Sequence, residues 1–173
     1  LIITLLISGC TSSTKVNSPG FIAPCDQIKL AESAEKSVVL PCLDGAGEIN
    51  FYQMKGPLVI NVWGSWCEGC KQEMPYFVEL YQNPLFKSGQ IQMLGVNVEE
   101  KSKEDAIDYI QKSGMSWPNL EDTSGASKSI FGPGVPVTWF IDKGGKNVGT
   151  KIGAYTNKQQ LFDQVEKAFG VKL

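Results

Sequence analysis

The sequence predicts an α/β fold, a mixed central sheet flanked by helices with a β-hairpin set in front of it. Three observations predict it. Leu58-Val59-Ile60-Asn61-Val62-Trp63 is a nearly unbroken apolar run, as in strands covered on both faces. Close behind it, Met74, Phe77, Val78 and Tyr81 recur at the spacing of an amphipathic helix. Strand and helix patterns then alternate along the chain, as expected of strands joined through helices. With 173 residues, 42% hydrophobic and 20% charged, the chain can bury one sizeable core.

The elements follow in order. Residues 1–7 are apolar but too short to span a bilayer. They read as the end of a signal peptide, residues 1–9, whose start is truncated. Ile7-Ser8-Gly9-Cys10 resembles the bacterial lipobox, so Cys10 is expected to be lipidated. More than one acyl chain, at roughly 0.8 kcal/mol per buried methylene, makes a stable membrane anchor. Residues 10–35 are expected to be a flexible tether, and residues 36–173 the folded domain. Ser37–Leu40 and Ile49–Phe51 form the hairpin around Asp44-Gly45-Ala46-Gly47. Leu58–Trp63 is the first central strand, and Trp66-Cys67-Glu68-Gly69-Cys70 turns the chain into a helix that contains Pro75. Ile91–Val98 is the second central strand. A helix starts at Ser102, with Asp105 in the capping-box position, and stops at Gly114. A short helical stretch over 124–131 leads to strand Val137–Ile141, the turn Lys143-Gly144-Gly145 and a returning strand over Val148–Tyr155. The last helix opens at Thr156, buries Leu161, Val165 and Ala168, and ends at Gly170. The expected order behind the hairpin is β–α–β–α–β–β–α.

Composition excludes several chemistries. All 16 basic residues are Lys, and His is absent. Without His there is no Cys–His or Ser–His pair and no imidazole ligand. Without Arg there is no guanidinium fork for phosphate or carboxylate. A net charge of −2 with no basic patch gives no reason to expect a nucleic-acid partner. No cofactor is implied.

The chemistry lies in Cys67 and Cys70. Two intervening residues place both sulfurs on one helical turn, within reach of a disulfide. Cys67 then stands at the helix N-terminus, where free N–H groups and the helix dipole favour a thiolate. Cys67 is expected to attack and Cys70 to resolve. A zinc site would need a second C-x-x-C or a His pair, and only the widely spaced Cys25 and Cys42 remain.

The stretch from Asn61 through Trp66-Cys67-Glu68-Gly69-Cys70 to Glu73-Met74-Pro75, together with Gly134-Val135-Pro136-Val137-Thr138, resembles the TlpA/ResA/DsbE-like thioredoxins. The likeness extends over roughly 38–169. It implies a thioredoxin-like fold and an extracytoplasmic thiol–disulfide oxidoreductase, often membrane-tethered. It implies electrons from a membrane thiol transporter of the CcdA/DsbD type, and exported thiol proteins such as apocytochrome c as partners. Glu73 matches the acid proposed to shuttle a proton beside the disulfide; the competing reading is a solvated surface acid. Asn61 stands where cytoplasmic thioredoxins carry a buried Asp. Pro136 matches the cis-proline, which presents the Val135 backbone to a substrate chain, and Trp66 joins the substrate-binding surface. Two departures bear on the redox potential. Gly69 replaces the Pro common before the second Cys, loosening the helix start by roughly 1 kcal/mol. Glu68 adds a negative charge that opposes thiolate formation.

Two rival functions fit these residues less well. A peroxidase on the same fold polarises peroxide with Arg, which is absent here. A scaffold without chemistry would not need both cysteines and the proline loop. Actinobacterial members of the resembling family often carry two further cysteines ahead of the domain. In an exported chain, with Cys10 lipidated and Cys67 bonded to Cys70, Cys25 and Cys42 are expected to form a structural disulfide. The alternative is two free thiols.

Overall fold

The computed structural model describes residues 18–173; Cys10 and the signal segment lie outside the described residues. Val39–Pro41 (β1) and Glu48–Asn50 (β2) pair antiparallel. The first strand is one residue shorter than the sequence suggests, and the second keeps its length but begins one residue earlier. Phe51 leaves the ladder because Asn50 accepts a hydrogen bond from the Tyr52 N–H and caps a 3-10 turn over Phe51–Gln53.

Leu58–Trp63 (β3) is buried at every position. Leu58, Ile60 and Val62 enter the core on the hairpin side of the sheet, while Val59 and Trp63 enter the core on the helical side. Both faces are therefore apolar, and the run loses its alternation. Glu68–Tyr81 (α1) follows and continues through Pro75. Pro84–Lys87 (α2), a single turn capped by Asn83, was not expected, since four residues carry no readable period. Gln92–Val98 (β4) is again fully buried. Lys103–Ser113 (α3) begins where Ser102 accepts from the Asp105 N–H and ends at Gly114 in the left-handed region.

Asn119–Asp122 (β5) is a second unexpected element. It has a single aliphatic side chain, Leu120, and follows Pro118, so it carries no strand pattern. Its outer edge is covered, because Cys42 bridges Leu120 and the Leu43 N–H donates to the Asn119 carbonyl at 2.8 Å. That contact occupies an edge otherwise open to foreign pairing. Lys128–Phe131 (α4), Val137–Ile141 (β6), Asn147–Ile152 (β7) and Lys158–Phe169 (α5) complete the chain. The sheet order is β5-β4-β3-β6-β7. β3, β4 and β5 run parallel, and β6 and β7 are antiparallel additions. The mixed sheet flanked by helices is the expected fold.

Three expectations need correction. The stretch 18–35 does not behave as a free tether. Ala23, Cys25 and Ile28 are buried, and the Gly20 and Phe21 N–H groups donate to Gln111 and Met115 carbonyls, both at 2.9 Å. A Cβ on Gly20 would lie 2.1 Å from the Ile110 oxygen, so only glycine allows this approach. The last helix is capped by Asn157, which accepts from the Gln160 N–H, one residue beyond Thr156. Asn is the stronger cap. The returning strand also stops early, at Ile152, where Gly153 takes positive φ.

Candidate active site

The end of β3 delivers the chain into a tight turn. The Cys67 N–H donates to the Gly64 carbonyl at 3.1 Å, and Cys67 becomes the N-cap of α1. Its Sγ accepts a hydrogen bond from the Cys70 N–H at 3.1 Å. Cys67 and Cys70 are disulfide-bonded with Cα atoms 5.3 Å apart. The two differ in access: Cys67 is 6% exposed and Cys70 0%. Once reduced, Cys67 has the N–H donor and the helix terminus that stabilise a thiolate.

Trp66 is half-exposed, and its indole Nε1 donates to the Val98 carbonyl at 3.3 Å. Gly64 makes room for that indole, since a Cβ there would sit 2.6 Å from Nε1. A residue the sequence did not single out also holds this turn. Glu100 accepts from the Ser65 N–H at 2.5 Å, the Ser65 hydroxyl at 2.7 Å and the Asn97 amide at 2.8 Å. An acid following a strand looks like any surface carboxylate, and only the spatial approach of the two loops distinguishes it. The Val135–Pro136 bond is cis, and the Pro136 carbonyl accepts from the Gly153 N–H at 2.9 Å. This loop faces the redox pair, because a Cβ on Gly69 would lie 3.4 Å from Pro136 Cδ.

Glu73 is fully buried beneath the disulfide turn. Oε1 accepts from Asn61 Nδ2 at 3.0 Å, and Oε2 accepts from the Tyr155 N–H at 2.9 Å. Burial raises its pKa from 4.5 to about 7, while the two hydrogen bonds and the nearby Lys151 ammonium pull the other way. It is not a solvated surface acid. Asn61 is equally buried, and its Oδ1 has no hydrogen-bond partner among the described residues.

The structure thus brings Trp66, Cys67, Cys70, Glu73, Val135 and Pro136 to one end of the sheet. Cys25 and Cys42 lie elsewhere. They are bonded to each other, buried, with Cα atoms 6.1 Å apart. Asp44 comes within 4.8 Å of both sulfurs, but one carboxylate beside a disulfide is too few ligands for zinc. Among the described residues no helix is long and apolar enough to cross a membrane.

Comparison with known proteins extends these observations. Residues 29–147 match the AhpC/TSA family. The chain is 32% identical over 170 residues to the thiol-disulfide oxidoreductase ResA of Bacillus thuringiensis (strain Al Hakam), covering 96% of this chain and 93% of that one. Its fold is similar to a secreted disulfide oxidoreductase of Mycobacterium tuberculosis, with TM-score 0.64 and 18% identity over 76% of this chain and 96% of the other. It is also similar to the exposed lipoprotein thioredoxin Etrx1 of Streptococcus pneumoniae strain TIGR4, with TM-score 0.60, 25% identity, and 76% and 99% coverage.

Proposed function

This chain belongs to the AhpC/TSA family and, within it, to the ResA/DsbE-like thiol–disulfide oxidoreductases, and from that premise we propose that it works outside the cytoplasm, held to the membrane through a lipidated Cys10. The observation that carries the chemistry is the Cys67–Cys70 disulfide at the N-terminus of α1. In the reducing direction, the Cys67 thiolate attacks a substrate disulfide. A mixed disulfide forms and one substrate thiolate leaves. The Cys70 thiol then gives its proton to the Glu73 carboxylate and attacks Cys67 Sγ. The Cys67–Cys70 bond re-forms and the second substrate sulfur leaves as a thiolate, which completes the two-electron exchange. Val135 and Trp66 bind the substrate chain beside Cys67, and Pro136 fixes the loop.

The location rests on Cys25 and Cys42, whose disulfide belongs in an oxidising compartment, and on the likeness to an exposed lipoprotein thioredoxin. Exported thiol proteins, apocytochrome c among them, are the proposed substrates. A membrane thiol transporter of the CcdA/DsbD type is the proposed electron source. Peroxide reduction is disfavoured, because the chain has no Arg to polarise a peroxide and Cys67 is closed by a partner on its own helical turn.

Cys70→Ser tests the assignment. It should trap a mixed disulfide between Cys67 and a substrate protein, visible on non-reducing gels, whereas Cys67→Ser should give none. If the two variants behave alike, the attacking and resolving roles are wrong.

A further inference from the structure

Glu73 has two unlike oxygens. Oε2 is committed as an acceptor, because the Tyr155 main-chain N–H points at it from 2.9 Å and a backbone N–H cannot turn round. A proton arriving on this carboxyl therefore settles on Oε1. That oxygen faces Asn61 Nδ2 at 3.0 Å, itself a donor. Protonation sets an O–H against an N–H, with both groups fully buried. A side chain unable to respond would leave a buried donor unsatisfied, at a cost of about 1–3 kcal/mol. Asn61 can respond, since its amide carries a donor on one side and an acceptor on the other. The acceptor, Oδ1, is the buried oxygen without a partner among the described residues.

We propose that Asn61 is a positioning residue whose amide reverses about its last side-chain torsion as Glu73 gains or loses its proton, presenting Nδ2 to the carboxylate and Oδ1 to the carboxylic acid. The inference rests on the reading that Glu73 takes the proton released by Cys70. No atom is exchanged with Asn61: the proton passes from Cys70 Sγ to Glu73 Oε1, and the amide only turns to accept the new O–H. Each protonation state of Glu73 then keeps both carboxyl oxygens partnered, so the proton can be held and returned without setting donor against donor, while the amide atom turned away from Glu73 stays unpartnered. An ionised Asp at this position could not donate to the carboxylate, and an aliphatic residue could do neither.

The other groups facing Glu73 do not take over this part. Lys151, at the end of β7, lies near enough to favour the carboxylate, and its ammonium is held by the Ile152 and Gly153 carbonyls at 2.9 and 3.1 Å. Tyr109 on α3 has its phenol pushed up to about 12, chiefly by burial and then by the Glu73 charge. Tyr155 is raised still further for the same reasons, and its hydroxyl is directed to Gln164 Oε1. Both phenols stay neutral while Glu73 titrates. Cys67 and Cys70 are bonded to each other in this state.

The test uses the oxidised wild-type protein labelled with 15N and 13C. The Glu73 carboxyl carbon is followed through pH together with the Asn61 side-chain amide. We expect NOEs from the Asn61 amide protons to the Glu73 side chain above the carboxyl midpoint and their loss below it, with both signals sharing one midpoint. NOEs that persist on both sides of the midpoint would overturn the reversal. Asn61→Leu removes a partner from both protonation states of Glu73, so the midpoint should move by well under about one pH unit. Asn61→Asp should split the titration into two steps belonging to the pair. A rise of about one unit or more in Asn61→Leu, the mark of an amide that only donates to the charged form, would also overturn it. Thiol exchange by Glu73→Gln separates the premise from the inference. A pH–rate profile identical to wild type removes Glu73 as proton acceptor, whatever the amide does.

Discussion

Burial acts on Glu73 more strongly than any single partner, and two measurable consequences follow. The first is kinetic. A carboxyl with a pKa of about 7 is matched to proton transfer near neutrality, so Glu73→Gln should slow the Cys70 step by a factor on the order of a hundred or more and flatten the pH dependence of exchange. Stopped-flow reduction of a protein disulfide across pH measures it, and an unchanged profile would return Glu73 to a structural part. The second is thermodynamic. The folded pKa lies above the ordinary 4.5, so between those values the folded protein holds a proton that the unfolded chain has released. Stability should therefore fall as pH rises through that window, by on the order of 3 kcal/mol, and level off on either side. Glu73→Gln should lack this decline in urea titrations of the oxidised protein. In the sequence, the spacing of Glu73 from Cys70 and the amide at Asn61 pointed to this carboxyl. Its two anchors were illegible, because Tyr155 contributes a backbone N–H that any residue could supply. Glu100 escaped for a related reason: its partner Ser65 comes from a turn 35 residues away that reaches it only in the fold.

At the scale of elements, β4 and β5 meet through one glycine and one amide. Asn119 Oδ1 accepts from the Trp63 indole at 3.0 Å, and its Nδ2 donates to the Trp117 carbonyl at 2.8 Å. Gly95 lies beneath this contact, where a Cβ would stand 1.8 Å from Asn119 Oδ1 and 2.8 Å from Trp63 Nε1. Gly95→Ala should therefore destabilise the domain by about 2–3 kcal/mol through overpacking and a broken buried hydrogen bond. Asn119→Ala removes the obstructing oxygen, so Gly95→Ala should cost distinctly less in that background. Additive losses in a double-mutant cycle would show that the two positions do not share this contact. Such pairings also explain what was readable. β3 and β4 are long and apolar, and their patterns speak for themselves. β5 is set by what it touches, an indole, the hairpin and a disulfide-bonded segment, and its own residues carry no strand periodicity.

For the whole molecule, the Cys25–Cys42 bond closes a separation of 17 residues and ties the N-terminal segment to the hairpin beside β5. Replacing both cysteines with Ala should lower stability by about 3 kcal/mol in the chain-entropy picture. Mild reduction should open Cys67–Cys70 first, since Cys67 reaches the surface and marks the labile bond. Mass spectrometry after limited reductant reads the order, and loss of Cys25–Cys42 first would contradict it. The docking of 18–35 was not evident in the sequence. Its apolar residues are few and interrupted by Pro and Gly, and they find their places only in the fold, against the α3–β5 segment and the Gln53–Lys55 turn. That docking has a spatial consequence. With Cys10 as the proposed anchor, the links from residue 10 to Ser18 can span at most about 28 Å. The leash is no longer than the hydrocarbon core of a bilayer is thick, roughly 30 Å. On that proposal the domain would ride close to the membrane surface and meet its clients by lateral search in two dimensions.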